Sequence, residues 1–459
     1  MKFLKTIPVI LLIFALCSCG KNSSVPEQDL SNTANTPVPT HIEETFYLTG
    51  TYRVYADGYD WGPAVNRAII SFDQTLDSVS KEDFTVMEVK SATDYSQEDM
   101  PVVTQTFSRE VTNAYFSDVN GNPVAAPSNI VTLDLYVSPV DGSPINYDPA
   151  SGFNTWCDTY ALDIRKSFSA TLTSNGRAIS GMDIDTRMTA LVTSVDDVII
   201  DSFTSSDRVT YQYAHYEPAD GSKTLIVWLH GGGEGGTRNT DPRIPMLACK
   251  SSVLMREEFQ NAVGGANILI PQCPTLWMDM NGGGRTTDIL DANDGTSFYT
   301  NSLKELIEFY REKSGSETVI LAGCSNGGFM SLVLALADPR NYDAVVPICE
   351  TLRDETITDE QLQGVLRLPL YFIYSKDDEV ALPDLNSIPT IARLNSMGAQ
   401  KLHVSTSEHV IDTSGLYQDN AEPYQYMGHW SWIYFFNNET SCDYHGETAW
   451  SVIAEAARS

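Results

Sequence analysis

Gly323-Cys324-Ser325-Asn326-Gly327 joins two apolar runs, Thr318-Val319-Ile320-Leu321-Ala322 before it and Phe329-Met330-Ser331-Leu332-Val333-Leu334-Ala335-Leu336 after it. The first run reads as a buried strand and the second as a buried helix. A serine between two glycines at such a junction sits on a sharp turn. Side chains at the glycine positions would block the close approach of helix to strand. The hydroxyl is left exposed above the sheet, beside the first backbone N–H groups of the helix, where it is placed to act as a nucleophile. Five residues also fit a polar loop capping a core helix, so the surrounding chain has to decide.

Around this junction strand-like and helix-like segments alternate, which predicts a mainly parallel sheet covered by helices over residues 205–459. Leu225-Ile226-Val227-Trp228-Leu229, Ile268-Leu269-Ile270, Ala344-Val345-Val346-Pro347-Ile348 and Leu370-Tyr371-Phe372-Ile373-Tyr374 read as further buried strands. Leu303, Leu306, Ile307 and Tyr310 fall at helical spacing with Lys304, Glu305 and Glu308 outside. The helix after Gly328 is expected to stop at Asp338-Pro339.

The strand at Leu225 runs into His230-Gly231-Gly232-Gly233-Glu234-Gly235-Gly236. Backbone without side chains can aim N–H groups at a carbonyl oxygen under attack, and Gly232 and Asn326 are the expected pair of donors. No Gly-Lys-Ser/Thr follows, so a phosphate cradle is a poor reading. His230, at the strand end before the loop, reads as a structural hydrogen-bonding residue. An acid and a base are expected after the serine. Ser375-Lys376-Asp377-Asp378-Glu379-Val380 follows a buried strand, and Asp378 is the first choice of acid. Asp377, one residue away, and Glu350 remain alternatives. Among the downstream histidines, His429 in Gly428-His429-Trp430-Ser431-Trp432 is the first choice of base and His409 its main rival, while His403 alternates within a strand and reads as structural. An imidazole with a pKa of about 6.5 can take a serine proton near neutral pH. Trp277 and Trp430 each either line a substrate cleft or pack their loops. Cys324 is expected to fill the core or join a disulfide.

Residues 42–204 have a different texture. Short runs rich in Val, Ile, Thr, Tyr and Phe, such as Ala68-Ile69-Ile70-Ser71-Phe72 and Ile130-Val131-Thr132-Leu133, alternate with turn signals such as Asn120-Gly121 and Asp141-Gly142. That pattern predicts an all-β, Ig-like sandwich, in architecture only; Val198-Ile199-Ile200 is counted among its strands. Residues 1–19 read as a targeting segment: Lys2 and Lys5, an apolar stretch from Ile7 to Leu16, then Leu16-Cys17-Ser18-Cys19-Gly20, which resembles a bacterial lipobox with cleavage before Cys19 and lipid attached to it. Residues 20–41, rich in Ser, Asn, Thr and Pro, read as a flexible tether. Together these predict an extracytoplasmic protein lipid-anchored to the bacterial membrane.

The formal net charge of −31 argues against nucleic acid, whose phosphates need basic partners. At 42% apolar and 19% charged residues, the 459-residue chain can bury a sizeable core, and its length predicts more than one domain. Export would permit disulfides among Cys157, Cys249, Cys273, Cys324, Cys349 and Cys442, with the pairing left open. No Cys-x-x-Cys or His-rich spacing suggests a metal, so no metal site is expected, and no cofactor is called for.

The set formed by the glycine-rich loop 230–236, Pro271-Gln272-Cys273-Pro274, the elbow with Gly328, and Gly428-His429-Trp430-Ser431-Trp432 resembles bacterial secreted α/β-hydrolase esterases with an N-terminal Ig-like domain. These are often labelled predicted peptidases and are related to feruloyl and acetyl-xylan esterases. The resemblance implies a serine esterase with Ser325, Asp378 and His429 as catalytic residues and no cofactor. It also implies an Ig-like domain packed beside the active site. The expected substrate is a small-molecule or carbohydrate ester. The alternatives are peptide hydrolysis of the prolyl-oligopeptidase type by the same residues, and a non-catalytic glycan-binding surface lipoprotein.

Overall fold

Leu225-Ile226-Val227-Trp228-Leu229 is apolar at every position because both of its faces are covered. Leu225, Val227 and Leu229 belong to one core, while Ile226 and Trp228 belong to another on the opposite side. This is the alternation of an extended strand buried between two helical layers. The computed structural model describes residues 45–458 apart from 126, 149–151, 239 and 285–288. The expectations for the targeting segment 1–19 with Cys19, and for the tether 20–41, lie outside the described residues.

Eight strands form the central sheet: β1 (Ile199–Thr204), β2 (Thr210–Tyr216), β3 (Thr224–Leu229), β4 (Asn267–Gln272), β5 (Thr318–Cys324), β6 (Ala344–Ile348), β7 (Leu370–Ser375) and β8 (Leu402–Ser407). Their spatial order is β1-β2-β4-β3-β5-β6-β7-β8. The pairings of β2 are antiparallel and those from β4 to β8 are parallel. One layer carries the helices Thr300–Ser314 and Asn326–Ala337. The other carries Glu257–Val263, Trp432–Phe436 and Ala449–Ala456. Leu303, Leu306, Ile307 and Tyr310 are the buried stripe of Thr300–Ser314, and the next helix ends at Ala337, just before Asp338-Pro339.

The β domain is a sandwich. One sheet runs, in space, Gly181–Ile184, Tyr47–Tyr59, Gly62–Phe72, Ile130–Leu135 and Val111–Phe116, with Leu191–Thr193 also on the long first strand. The facing sheet is Val102–Arg109, Phe84–Thr93 and Thr159–Lys166. Leu48, Val54, Ile70 and Leu133 of the first meet Val86, Leu162 and Ile164 of the second in one core.

One boundary needs correction. Ile199 and Ile200, read from sequence as part of the β domain, lie in β1, which pairs with β2 at the edge of the eight-stranded sheet. The change of domain therefore comes before Ile199 and not at residue 204. A strand exposed along most of its length carries little of the alternation that would have assigned it to either sheet.

The domains meet along a polar and aromatic seam. Trp156 Nε1 donates to Asp241 Oδ2 at 2.9 Å, and ion pairs join Lys250 to Asp60 (2.9 Å) and Arg256 to Asp57 (3.2 Å). Trp61 and Trp156 of the β domain pack against the outer core of the sheet domain.

Candidate active site

The turn from β5 into its helix is held by close backbone approach. A Cβ on Gly327 would collide with the Leu229 carbonyl, and one on Gly323 would lie 2.5 Å from the Gly327 carbonyl oxygen. Ser325 between them has φ 54° and ψ −119°, left-handed backbone that a serine rarely adopts. Its N–H donates to the Ile348 carbonyl at 2.8 Å, and its carbonyl accepts the Phe329 N–H at 2.9 Å. The strained turn lifts the hydroxyl clear of the sheet.

Three side chains from separate segments converge there. Asp378 follows β7 and is buried, as is His429 in the short turn Gly428–Trp430. His429 Nδ1 lies 2.8 Å from Asp378 Oδ2, and His429 Nε2 lies 2.8 Å from Ser325 Oγ. A carboxylate can only accept, so Nδ1 carries the proton and Nε2 is left to accept from the serine hydroxyl. Asp378 Oδ1 is held by the N–H groups of Val380 (2.8 Å) and Ala381 (2.9 Å). The imidazole also packs edge-on to Trp432, with ring centroids 5.9 Å apart.

The rival acid and base form a second pair with each other. His409 Nδ1 lies 2.7 Å from Asp377 Oδ2, with His409 exposed and Asp377 half-buried. Burial would raise the Asp377 pKa, but hydrogen bonds from His409 and Ser375 outweigh it and hold the carboxyl below its usual range. Neither residue hydrogen-bonds Ser325 among the described residues. Glu350 is buried, accepts from Leu352 N–H (2.7 Å) and Ser387 Oγ (2.8 Å), and is pushed up to about 7 by burial. It braces the loop after β6 and has no hydrogen bond to His429.

Gly232 and Asn326 face each other beside Ser325. A Cβ added to Gly232 would come 3.8 Å from the Asn326 Cβ. Asn326 opens its helix, so its N–H has no intrahelical acceptor. His230 is fully buried and structural: Nε2 accepts the Cys273 N–H at 2.9 Å, so Nδ1 carries the proton toward the Gly231 carbonyl, 2.6 Å away. Burial lowers its pKa to about 4, keeping the ring neutral.

Trp277 does not line the cleft. Its indole is 0% exposed, stacks with Tyr211 and donates to the His230 carbonyl at 3.1 Å. Its backbone N–H donates to Asn326 Oδ1. It thereby ties the glycine loop to the elbow from behind, as a large amphipathic side chain with a single N–H donor can. Trp430, in contrast, does line the cavity above Ser325. The six described cysteines are unpaired, and Cys324 Sγ sits 3.9 Å from Cys249 Sγ in the core.

The cavity is about 520 Å³ and takes walls from both domains. Met278, Ile289, Met427 and Trp432 come from the sheet domain, and Trp61, Ile145, Tyr147 and Asn154 come from the β domain. Glu234 and Asn154 were missed in the sequence. Glu234 is 5% exposed, and its Oε1 accepts from Asn154 Nδ2 at 2.7 Å across the domain seam. Burial raises the Glu234 pKa, opposed in part by the Asn154 hydrogen bond. A lone acid among five glycines was the available signal, since such a loop has few other side chains with which to anchor itself.

A nucleophile elbow and a β1-β2-β4-β3-β5-β6-β7-β8 sheet define the α/β-hydrolase fold, here preceded by an Ig-like sandwich. Residues 51–177 match the family model described as the esterase Ig-like N-terminal domain. Among solved structures, a thermostable esterase superposes with a TM-score of 0.65 at 19% identity, over 85% of this chain and 96% of that one. A ferulic acid esterase gives a TM-score of 0.33 at 13% identity over 46% of this chain and 90% of that one. An acylaminoacyl peptidase of Pyrococcus horikoshii gives 0.32 at 16% identity, over 53% and 41% respectively. No curated protein sequence matches the chain. The likeness to esterases with an Ig-like N-terminal domain is thus borne out by the domain match and by a fold shared across both domains.

Proposed function

We propose that this protein is a serine hydrolase of carboxylic esters. The observation that carries the reading is the unbroken chain from Ser325 Oγ through His429 to Asp378, opening on a largely apolar cavity. His429 Nε2 takes the hydroxyl proton as Ser325 Oγ bonds to the acyl carbon. The oxyanion is received by the N–H groups of Asn326 and Gly232. His429 then returns the proton to the leaving alcohol, and an acyl-enzyme remains. Water, deprotonated by the same nitrogen, adds to the acyl carbon, and the acid departs with Ser325 restored. Asp378 keeps the imidazole in the required tautomer and stabilises its cationic form.

Aromatic and aliphatic walls of this size suit a bulky acyl group better than acetate, so feruloyl-type esters on plant polysaccharide are the substrates first in line. A fluorophosphonate probe is expected to label the protein at Ser325, and nitrophenyl esters are expected to be cleaved. Absence of both reactions in folded protein would overturn the reading. Comparing short acyl, feruloyl and peptide substrates separates an esterase from a peptidase.

The Asn154–Glu234 hydrogen bond supports the loop that carries Gly232. Asn154→Ala leaves a buried carboxyl short of a partner, which costs about 1–3 kcal/mol, and loosens the oxyanion donor. A displacement of about 1 Å at such a position can cost up to about 100-fold in rate. We expect kcat to fall by about 10- to 100-fold with the fold intact by circular dichroism. Unchanged kcat would show that the glycine loop holds itself.

A further inference from the structure

A second cluster of reactive side chains lies at the other edge of the sheet. His403 is the second residue of β8, near the edge where that strand enters, whereas Ser325 and Asp378 follow the far ends of β5 and β7. A His403 ring nitrogen, the Cys442 thiol and a Glu447 carboxylate oxygen all lie within 4.8 Å of one another. His403 Nδ1 is buried and has no hydrogen-bond partner, an unusual state for a ring nitrogen. Cys442 is 3% exposed and unpaired.

The three groups are also held in place. The His403 ring stacks parallel on Tyr371, with centroids 5.6 Å apart at 5°. The Tyr371 hydroxyl donates to the Glu447 carbonyl at 2.7 Å. The turn 442–447 is closed by Cys442 N–H to the Glu447 carbonyl and Gly446 N–H to the Cys442 carbonyl, both 2.8 Å. One tyrosine therefore positions the imidazole and the turn that bears the other two groups.

We propose that His403, Cys442 and Glu447 form a structural binding site for a divalent transition-metal ion, zinc in preference to magnesium or calcium. One imidazole nitrogen, one thiolate and one carboxylate suit a borderline-soft ion with tetrahedral habits, whereas magnesium and calcium take oxygen ligands. His403 Nδ1 and Glu447 Oε2 stand 3.9 Å apart. The edge of a tetrahedron with bonds of about 2.0–2.1 Å is roughly 3.3 Å, so a small movement closes the site. On binding, the Cys442 thiol proton passes to solvent and the sulfur bonds the metal, with no change of oxidation state. His445, exposed in the same turn and bordering the same surface pocket as His403, is available as the fourth ligand. The ion would pin the chain between the last two helices to β8. The ligands come from two distant segments, which is why no contiguous motif marks them.

The test uses untagged protein, stripped with chelator and reloaded. One zinc per chain should survive gel filtration and raise the thermal midpoint, while magnesium should do neither. Cobalt should give near-ultraviolet thiolate-to-metal absorption. Cys442→Ser and His403→Gln should each abolish zinc retention and the cobalt band. Glu447→Gln, at a more exposed position, should weaken zinc binding at least tenfold with the metal-free melting temperature unchanged. Ester hydrolysis by the metal-free protein should persist. Failure of the parent protein to retain zinc, or retention and the cobalt band surviving in Cys442→Ser and His403→Gln, would overturn the proposal.

Discussion

Ser325→Ala should lower kcat on any ester by roughly 10⁶-fold, the scale seen when a serine nucleophile is removed from a comparable constellation. At about 1.36 kcal/mol per decade this is about 8 kcal/mol of lost transition-state stabilisation. The size follows from geometry. Ser325 Oγ is the atom hydrogen-bonded to His429 Nε2, so deletion removes the covalent route and leaves the base without a proton to take. The cavity walls and the N–H groups of Asn326 and Gly232 remain, so KM should change little and a residual rate above that in water should persist. Fluorophosphonate labelling should disappear. Melting temperature and circular dichroism should stay near those of the parent, since alanine enters the same backbone without adding atoms. Comparable activity in the variant would remove Ser325 from the mechanism altogether.

Asp378→Asn should cost about 10⁴-fold in kcat, while Asp377→Asn should cost less than about tenfold. The contrast rests on which oxygen is already committed. Asp378 Oδ1 accepts from the Val380 and Ala381 N–H groups, so an asparagine must place its carbonyl oxygen there and turn its NH₂ toward His429. That NH₂ cannot accept from Nδ1–H. The imidazole would be driven to the opposite tautomer, with Nε2 protonated and unable to receive the serine proton. Asp377 instead pairs with the solvent-exposed His409, and such a pair contributes about 0–1 kcal/mol. Measuring kcat/KM for both variants beside His409→Ala distinguishes the two pairs. A large loss in Asp377→Asn with little in Asp378→Asn would reverse the assignment.

The three side chains that converge, Ser325, Asp378 and His429, were legible as candidates because each follows the end of a recognisable apolar strand or lies in a local glycine-bearing motif. The choice between Asp377 and Asp378 was not. Adjacent loop residues point in different directions, and only the turn formed by Val380 and Ala381 decides which one faces inward. Trp277 misled because a tryptophan after a strand can serve a cleft or a core equally well. Its donors, directed at Asn326 and His230, settle the matter only in three dimensions. Ile199 and Ile200 were placed in the wrong domain because an edge strand lacks a buried face to give it rhythm. The Asn154–Glu234 contact was invisible for another reason. It joins two polar residues far apart in sequence across an interface, and the lone acid among the glycines marks Glu234 without pointing to Asn154.

The hairpin Ile145–Asp148/Phe153–Trp156 brings Tyr147 and Asn154 to the cavity. Its inheritance differs from that of an accessory module. Domain shuffling can move a self-contained binding unit between enzymes without touching their chemistry. Here an exchange of the sandwich would replace part of the cavity wall and the support of the glycine-rich loop together. Changes of specificity are therefore expected from mutations in the domain that bears none of Ser325, Asp378 and His429, and the two halves of the chain are expected to diversify as partners rather than as interchangeable parts.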